Sequence, residues 1–151
     1  MSRVAFLRYC FSIVCCGLLT LFTTCKPDLS DDPIPYQPFS PITINLNLPE
    51  YQSLRSNGWT YVEGGVRGII LYRKDQSTYM AYERNCSFQP NEACATVDVH
   101  ISNLYMTDPC CNSTFEFATG QPTGGAAWRP LRQYETLLSG SNLTITDFII
   151  N

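Results

Sequence analysis

The chain has 151 residues, with 10 basic and 13 acidic side chains, one histidine, eight cysteines and a formal net charge of −3. That length predicts a single domain. The charges are scattered rather than blocked, so no phosphate-binding surface and no nucleic-acid partner are expected.

Arg3 and Arg8 precede an apolar run from Phe11 to Phe22. The run is too short for a comfortable membrane span and ends in small polar residues, which is the form of an export signal over residues 1–24. Without that segment eight basic residues face 13 acidic ones, about −5 for the exported chain. Leu21-Phe22-Thr23-Thr24-Cys25-Lys26 resembles a bacterial lipoprotein signal, in which the cysteine becomes the lipidated N-terminus. Ordinary cleavage nearby, leaving a soluble secreted protein, is the alternative. The resemblance implies lipidation at Cys25, a membrane reached through that anchor, and a place in the cell envelope on the periplasmic side or the surface of the outer membrane.

Residues 25–41 are rich in Pro, Asp and Ser and predict an extended tether that builds no core. Its Ser30-Asp31-Asp32 resembles surface-export signals of Bacteroidetes-type lipoproteins. A globular domain is expected over 42–151. Ile42, Ile44 and Leu46 alternate with polar residues, the period of a half-buried strand. Pro49, then Tyr51 and Leu54, then Asn57-Gly58 predict one short helix near 49–56, its apolar side on the sheet. Trp59 to Val62 and Val66 to Arg73 read as strands, the second around the apolar run Ile69-Ile70-Leu71-Tyr72. Tyr79 to Glu83 returns on it as a hairpin. Thr96 to Ser102, Leu104 to Met106, Thr114 to Ala118 and Leu143 to Thr146 complete an all-β pattern. Val97, Val99 and Ile101 form the apolar side of the first of these, leaving His100 facing solvent.

Cys10, Cys15 and Cys16 fall in the signal and Cys25 at its end, which leaves Cys86, Cys94, Cys110 and Cys111. An even set in an oxidising envelope favours two disulfides. Four thiolates also suit zinc or an all-cysteine cluster, but no C-x-x-C occurs and adjacent cysteines rarely point at one ion. A lone histidine builds no hydrolytic site. Ser87 and Ser113 lack a partnered base, and neither G-x-S-x-G nor a phosphate-binding glycine loop is present. The chain therefore does not read as an enzyme. Asp108, before a proline, reads as a turn starter, and Trp128 as a core or loop anchor.

One stretch carries more. Cys86-Ser87-Phe88 is followed by Asp108-Pro109-Cys110-Cys111-Asn112-Ser113-Thr114-Phe115, then Phe117-Ala118-Thr119-Gly120, Arg129-Pro130-Leu131 and Tyr134. The series resembles the two cluster loops and following turn of Rieske [2Fe-2S] proteins over about Val66 to Asp147. It implies a Rieske-like fold of small antiparallel sheets in a sandwich, with a loop subdomain over about 84–128. Gly124-Gly125 corresponds to the segment that bends beneath the cluster loops.

A Rieske centre needs two thiolates on one iron and two imidazoles on the other. The corresponding positions here hold Cys86, Phe88, Asp108 and Cys111, so one ligand in four is kept. The resemblance further implies Cys94–Cys110 as the bridge that pins the two loops together. Cys86 and Cys111 would then face each other where the cluster sat and pair as a second disulfide, worth ~3 kcal/mol in the chain-entropy model. The reverse pairing, Cys86–Cys110 with Cys94–Cys111, stays open, while a vicinal Cys110–Cys111 bond is strained. The implied protein carries no cofactor and serves as a non-catalytic, disulfide-stapled binding or accessory protein with an unidentified envelope partner. The alternatives are a [2Fe-2S] electron carrier with atypical ligands and a thiol–disulfide redox protein.

Overall fold

The computed structural model describes residues 32–151. The export signal, Cys25 and the tether up to Asp31 lie outside the described residues. Ten strands and one short helix follow one another: β1 (Ile42–Asn45), a 3-10 turn over Pro49–Tyr51 running into α1 (Gln52–Ser56), β2 (Trp59–Val62), β3 (Ile69–Arg73), β4 (Tyr79–Glu83), β5 (Asp98–Val99), β6 (Met106–Asp108), β7 (Ser113–Phe115), β8 (Pro122–Gly124), β9 (Gln133–Ser139) and β10 (Asn142–Ile149). All pairs are antiparallel.

Two sheets result. The larger runs β1-β10-β9-β4-β3-β2, and the smaller runs β5-β6-β7-β8. The chain leaves the larger sheet after Glu83 and rejoins it at Gln133, so the smaller sheet and its loops form one insertion between two neighbouring strands. The side chain of Ile42, on edge strand β1, lies against Gly64 just beyond edge strand β2, which shows the larger sheet curling on itself.

The unbroken apolar run of β3 has a direct packing cause, since a strand buried on both faces cannot alternate. Ile69 and Leu71 point into one core with Ile44, Leu54, Ala81, Tyr134, Leu143 and Ile145. Ile70 and Tyr82 point the other way, into a second core shared with the insertion through Val97, Met106, Phe115 and Leu131. Leu54 of α1 is 1% exposed in the first core and Tyr51 packs beside it, so the short helix covers that core as its apolar spacing predicts.

A buried carboxylate fixes where the insertion begins. Glu83 is fully buried at the end of β4. Its Oε1 accepts the N–H groups of Arg67 (2.9 Å) and Asn85 (3.0 Å), and its Oε2 those of Val66 (2.8 Å) and the Tyr134 hydroxyl (2.7 Å). Four donors satisfy the charge without a cation. Gly65, at φ 65°, has no room for a Cβ, which would overlap the Glu83 carboxylate.

The extended segment 32–41 lies against the domain. Arg132 donates to the carbonyls of Ile34 and Pro35, Arg129 to that of Asp32 (3.0 Å), and Phe39 stacks edge-on against Tyr134 at 5.0 Å.

Several expectations change. The strand over 96–102 is only Asp98–Val99, because the chain turns at His100 to Asn103, where Asn103 takes a φ of 59°. Ile101, expected on a buried strand face, is 92% exposed on that turn, and Leu104, expected in the next strand, is 77% exposed. His100 is a turn residue: its Nδ1 lies 2.8 Å from Ser102 Oγ and its ring stacks on Tyr105 at 4.3 Å. Trp128 is about half exposed on a loop, with the Arg129 guanidinium 5.3 Å above its ring, so of the two readings given for it the core one falls.

Candidate functional site

The insertion brings three loops to one place. The first leaves β4 and carries Cys86 and Cys94. Cys86 donates its N–H to the Ala95 carbonyl at 3.1 Å, and Arg67 holds the outer part of the loop through Ala93 O (2.7 Å), Glu92 O (2.6 Å) and Thr96 Oγ1 (3.1 Å). The second loop is the β6–β7 turn, Pro109 to Asn112. Asp108 starts it by accepting the Cys110 N–H on Oδ1 at 2.8 Å, and Asn112 completes it at φ 56°, which asparagine tolerates better than most residues.

The third loop passes beneath the second. Ser113 Oγ accepts the N–H groups of Ala126 (3.2 Å) and Ala127 (2.9 Å). Gly125, at φ 84°, comes so close to Asn112 and Ser113 that a Cβ would overlap their backbone. Arg129 then ties the third loop to the first: Ser87 Oγ donates to Arg129 O at 2.6 Å, and the Arg129 guanidinium donates to Ser87 O at 2.7 Å.

Four cysteines meet at this junction in two layers. Cys94 and Cys110, both exposed, form a disulfide with an S–S distance of 2.00 Å and Cα atoms 5.5 Å apart, the pairing implied by the resemblance. Beneath it Cys86 and Cys111 carry free thiols with sulfurs 3.8 Å apart. The two are brought together without a bond between them. Cys111 Sγ donates toward Asp108 Oδ2 at 3.3 Å and lies 3.0 Å from Ser113 Oγ. Cys86 and Asp108 are fully buried, while Cys111 is partly open to solvent. Burial first, and then the hydrogen bond to Asp108, push the Cys86 thiol well above the ordinary thiol range.

Asp108 thus combines the turn role with the former ligand position. It starts the turn, and its second oxygen faces the thiol pair. Cys86 Sγ, Cys111 Sγ and an Asp108 carboxylate oxygen all lie within 4.8 Å of one another. Phe88, the remaining position of the expected ligand set, packs into the same apolar cluster as Cys86 and Cys111 and offers no donor.

This donor set does not match a [2Fe-2S] cluster of the Rieske kind. Two irons need four protein ligands, in two pairs set apart by the width of the inorganic core. Here three donors crowd into the space of one coordination sphere, neither nitrogen ligand exists, and an aromatic ring stands at the fourth position.

No protein-family model matches the chain, and no curated protein matches it. Solved structures do. The chain is similar to the cyanobacterial plasma membrane Rieske protein PetC3 from Synechocystis PCC 6803, with a TM-score of 0.51 and 21% identity over 63% of this chain and 92% of that one. It is also similar to the ferredoxin of carbazole 1,9a-dioxygenase from Nocardioides aromaticivorans IC177, with a TM-score of 0.43 and 18% identity over 73% of this chain and 97% of that one. The likeness to PetC3 extends over nearly all of that protein, and the fold is therefore an all-β fold of the Rieske type.

Proposed function

We propose that the chain is an exported, lipid-anchored Rieske-fold protein that no longer carries a two-iron cluster and acts as a non-catalytic binding or accessory component of the cell envelope. The observation that carries this reading is the donor set at the loop junction: Cys86, Cys111 and Asp108 within 4.8 Å, with Phe88 where a ligand would be needed. A fold does not keep an activity whose site has been rebuilt. The reading assigns the junction a structural task, with Cys94–Cys110 locking the loops outside and Cys86–Cys111 closing as a second bridge in an oxidising compartment. Export over residues 1–24 and an anchor at Cys25 supply that compartment. Ile101 and Leu104, on one exposed turn, offer apolar contact to a partner.

Expression of the full chain in a Gram-negative host tests this. The expected product sits in the membrane fraction with a lipid-modified Cys25 at its N-terminus, and non-reducing peptide maps link Cys94 to Cys110 and Cys86 to Cys111. An unmodified soluble chain with four alkylatable thiols contradicts it.

A second reading, a thiol–disulfide redox protein, is favoured by one observation: the 3.8 Å thiol pair adjoins the disulfide through the Cys110–Cys111 peptide bond. It requires the Cys86–Cys111 bridge to open readily with glutathione while Cys94–Cys110 resists. The structural reading requires both to resist.

A further inference from the structure

We infer that Cys86, Cys111 and Asp108, when both thiols are reduced, form a seat for a single thiophilic divalent ion of the zinc class. Two of the three donor spacings are those of one tetrahedral centre, and the third, between Cys86 Sγ and an Asp108 oxygen, is within 4.8 Å. Two thiolates bound at ~2.3 Å to a tetrahedral zinc stand ~3.8 Å apart, and a thiolate and a carboxylate oxygen on the same ion stand ~3.5 Å apart. The Cys86 and Cys111 sulfurs are 3.8 Å apart, and Cys111 Sγ is 3.3 Å from Asp108 Oδ2. A disulfide needs sulfurs at ~2.05 Å, so the two thiols are unbonded as they stand, at a spacing that two ligands of one ion share with two thiols in contact.

A second observation is independent of the sulfurs. Among the described residues two carboxylates are fully buried, Glu83 and Asp108. Glu83 is satisfied by four N–H and O–H donors. Asp108 receives one N–H, from Cys110, and is otherwise faced by thiols, with no Lys or Arg nitrogen of the described residues within 4 Å. A buried carboxylate with no cationic partner, and with weak thiol donors beside its single N–H, favours a bound cation. Cys94 and Cys110 are consumed by their disulfide, which removes the objection that adjacent cysteines cannot share an ion. Three protein donors leave one position for water or an external ligand, and the partial exposure of Cys111 gives access to it.

The seat and the Cys86–Cys111 bridge exclude each other, so the ion occupies the reduced state only. The inference rests on the reading that no two-iron cluster is held here. The test is a titration of the reduced, metal-stripped full chain with Co²⁺ under anaerobic conditions. The expected result is saturation at one ion per chain, with tetrahedral visible bands and a thiolate charge-transfer band, both lost on adding Zn²⁺. Cys111→Ser, with native far-ultraviolet circular dichroism, abolishes the charge-transfer band or roughly halves it, and Asp108→Asn weakens binding by about tenfold or more. The Cys94→Ala/Cys110→Ala double variant keeps the bands, which assigns them to the inner pair. An octahedral spectrum, no saturable binding, or bands that follow Cys94 and Cys110 overturns the seat. That failure is distinct from failure of the wider reading, which would appear as iron and sulfide in the protein as isolated.

Discussion

Glu83 and Tyr134 meet at 2.7 Å across the join between β4 and β9, with the tyrosine hydroxyl donating to a carboxylate that no solvent reaches. The contact closes the point where the inserted loops leave and re-enter the larger sheet. Glu83→Gln puts an amide N–H₂ against two of the four donors it must accept. The variant is expected to unfold about 3 kcal/mol more easily, read as a lowered urea midpoint at unchanged slope. An unchanged midpoint removes Glu83 from this role.

Cys94–Cys110 closes a loop with a sequence separation of 16 between the two loops of the junction. The Cys94→Ala/Cys110→Ala variant is expected to lose about 3 kcal/mol by the chain-entropy estimate. Chemical denaturation of the two proteins under non-reducing conditions measures it. A difference near zero means the loops are held by Arg67, Ser113 and Arg129 alone.

Gly125 and Gly140 offer a matched comparison. Both take positive φ (84° and 59°), but a Cβ at Gly125 overlaps the backbone of Asn112 and Ser113, while one at Gly140 meets nothing within 4 Å. Gly140→Ala is expected to cost about 1 kcal/mol, the left-handed backbone alone. Gly125→Ala is expected to cost clearly more and to shift the amide resonances of the Cys110–Ser113 turn. Equal costs contradict the close approach.

Tyr82 and Tyr134 predict alkaline sensitivity. Both hydroxyls are buried, and desolvation holds both above the ordinary tyrosine value of 10.0, with the Glu83 hydrogen bond adding to the effect at Tyr134. A group whose folded value is raised stabilises fully below its unfolded value and loses that contribution as pH rises toward the folded one. Stability is therefore expected to hold up to about pH 10 and to fall above it. Denaturant midpoints on either side of that value measure the change, and Tyr82→Phe should flatten the slope. A flat profile in the parent protein contradicts the assignment.

Much of this architecture was legible because it rests on local signals. The alternation in Ile42-Thr43-Ile44, the return of Tyr79 to Glu83 as a hairpin and the Pro49 helix start each act within a few residues, and each lies where its pattern points. β8 and β9 escaped the strand pattern. Pro122-Thr123-Gly124 carries no apolar period, and Leu137 and Leu138 of β9 are exposed side chains in consecutive positions. Ile101 misled for the opposite reason, since its alternation with Val97 and Val99 continues past the residue where the chain turns.

The junction itself was legible as a list of residues but not as a geometry. The resemblance carried by Cys86-Ser87-Phe88 and by Asp108 to Phe115 implied the two loops and the facing of Cys86 and Cys111. Nothing in the sequence separates an outer bonded pair from an inner free pair, because that depends on burial. Asp-Pro announces a turn whichever way the carboxylate points, so only the ligand position that the resemblance gives Asp108 implied its inward turn.

Absorption spectroscopy with iron and acid-labile sulfide analysis, on the full chain purified without exposure to oxygen, tests the central claim most directly. The account predicts a colourless protein lacking stoichiometric iron and sulfide. A brown protein with two irons and two sulfides per chain contradicts it and makes the chain an electron carrier on a new ligand set.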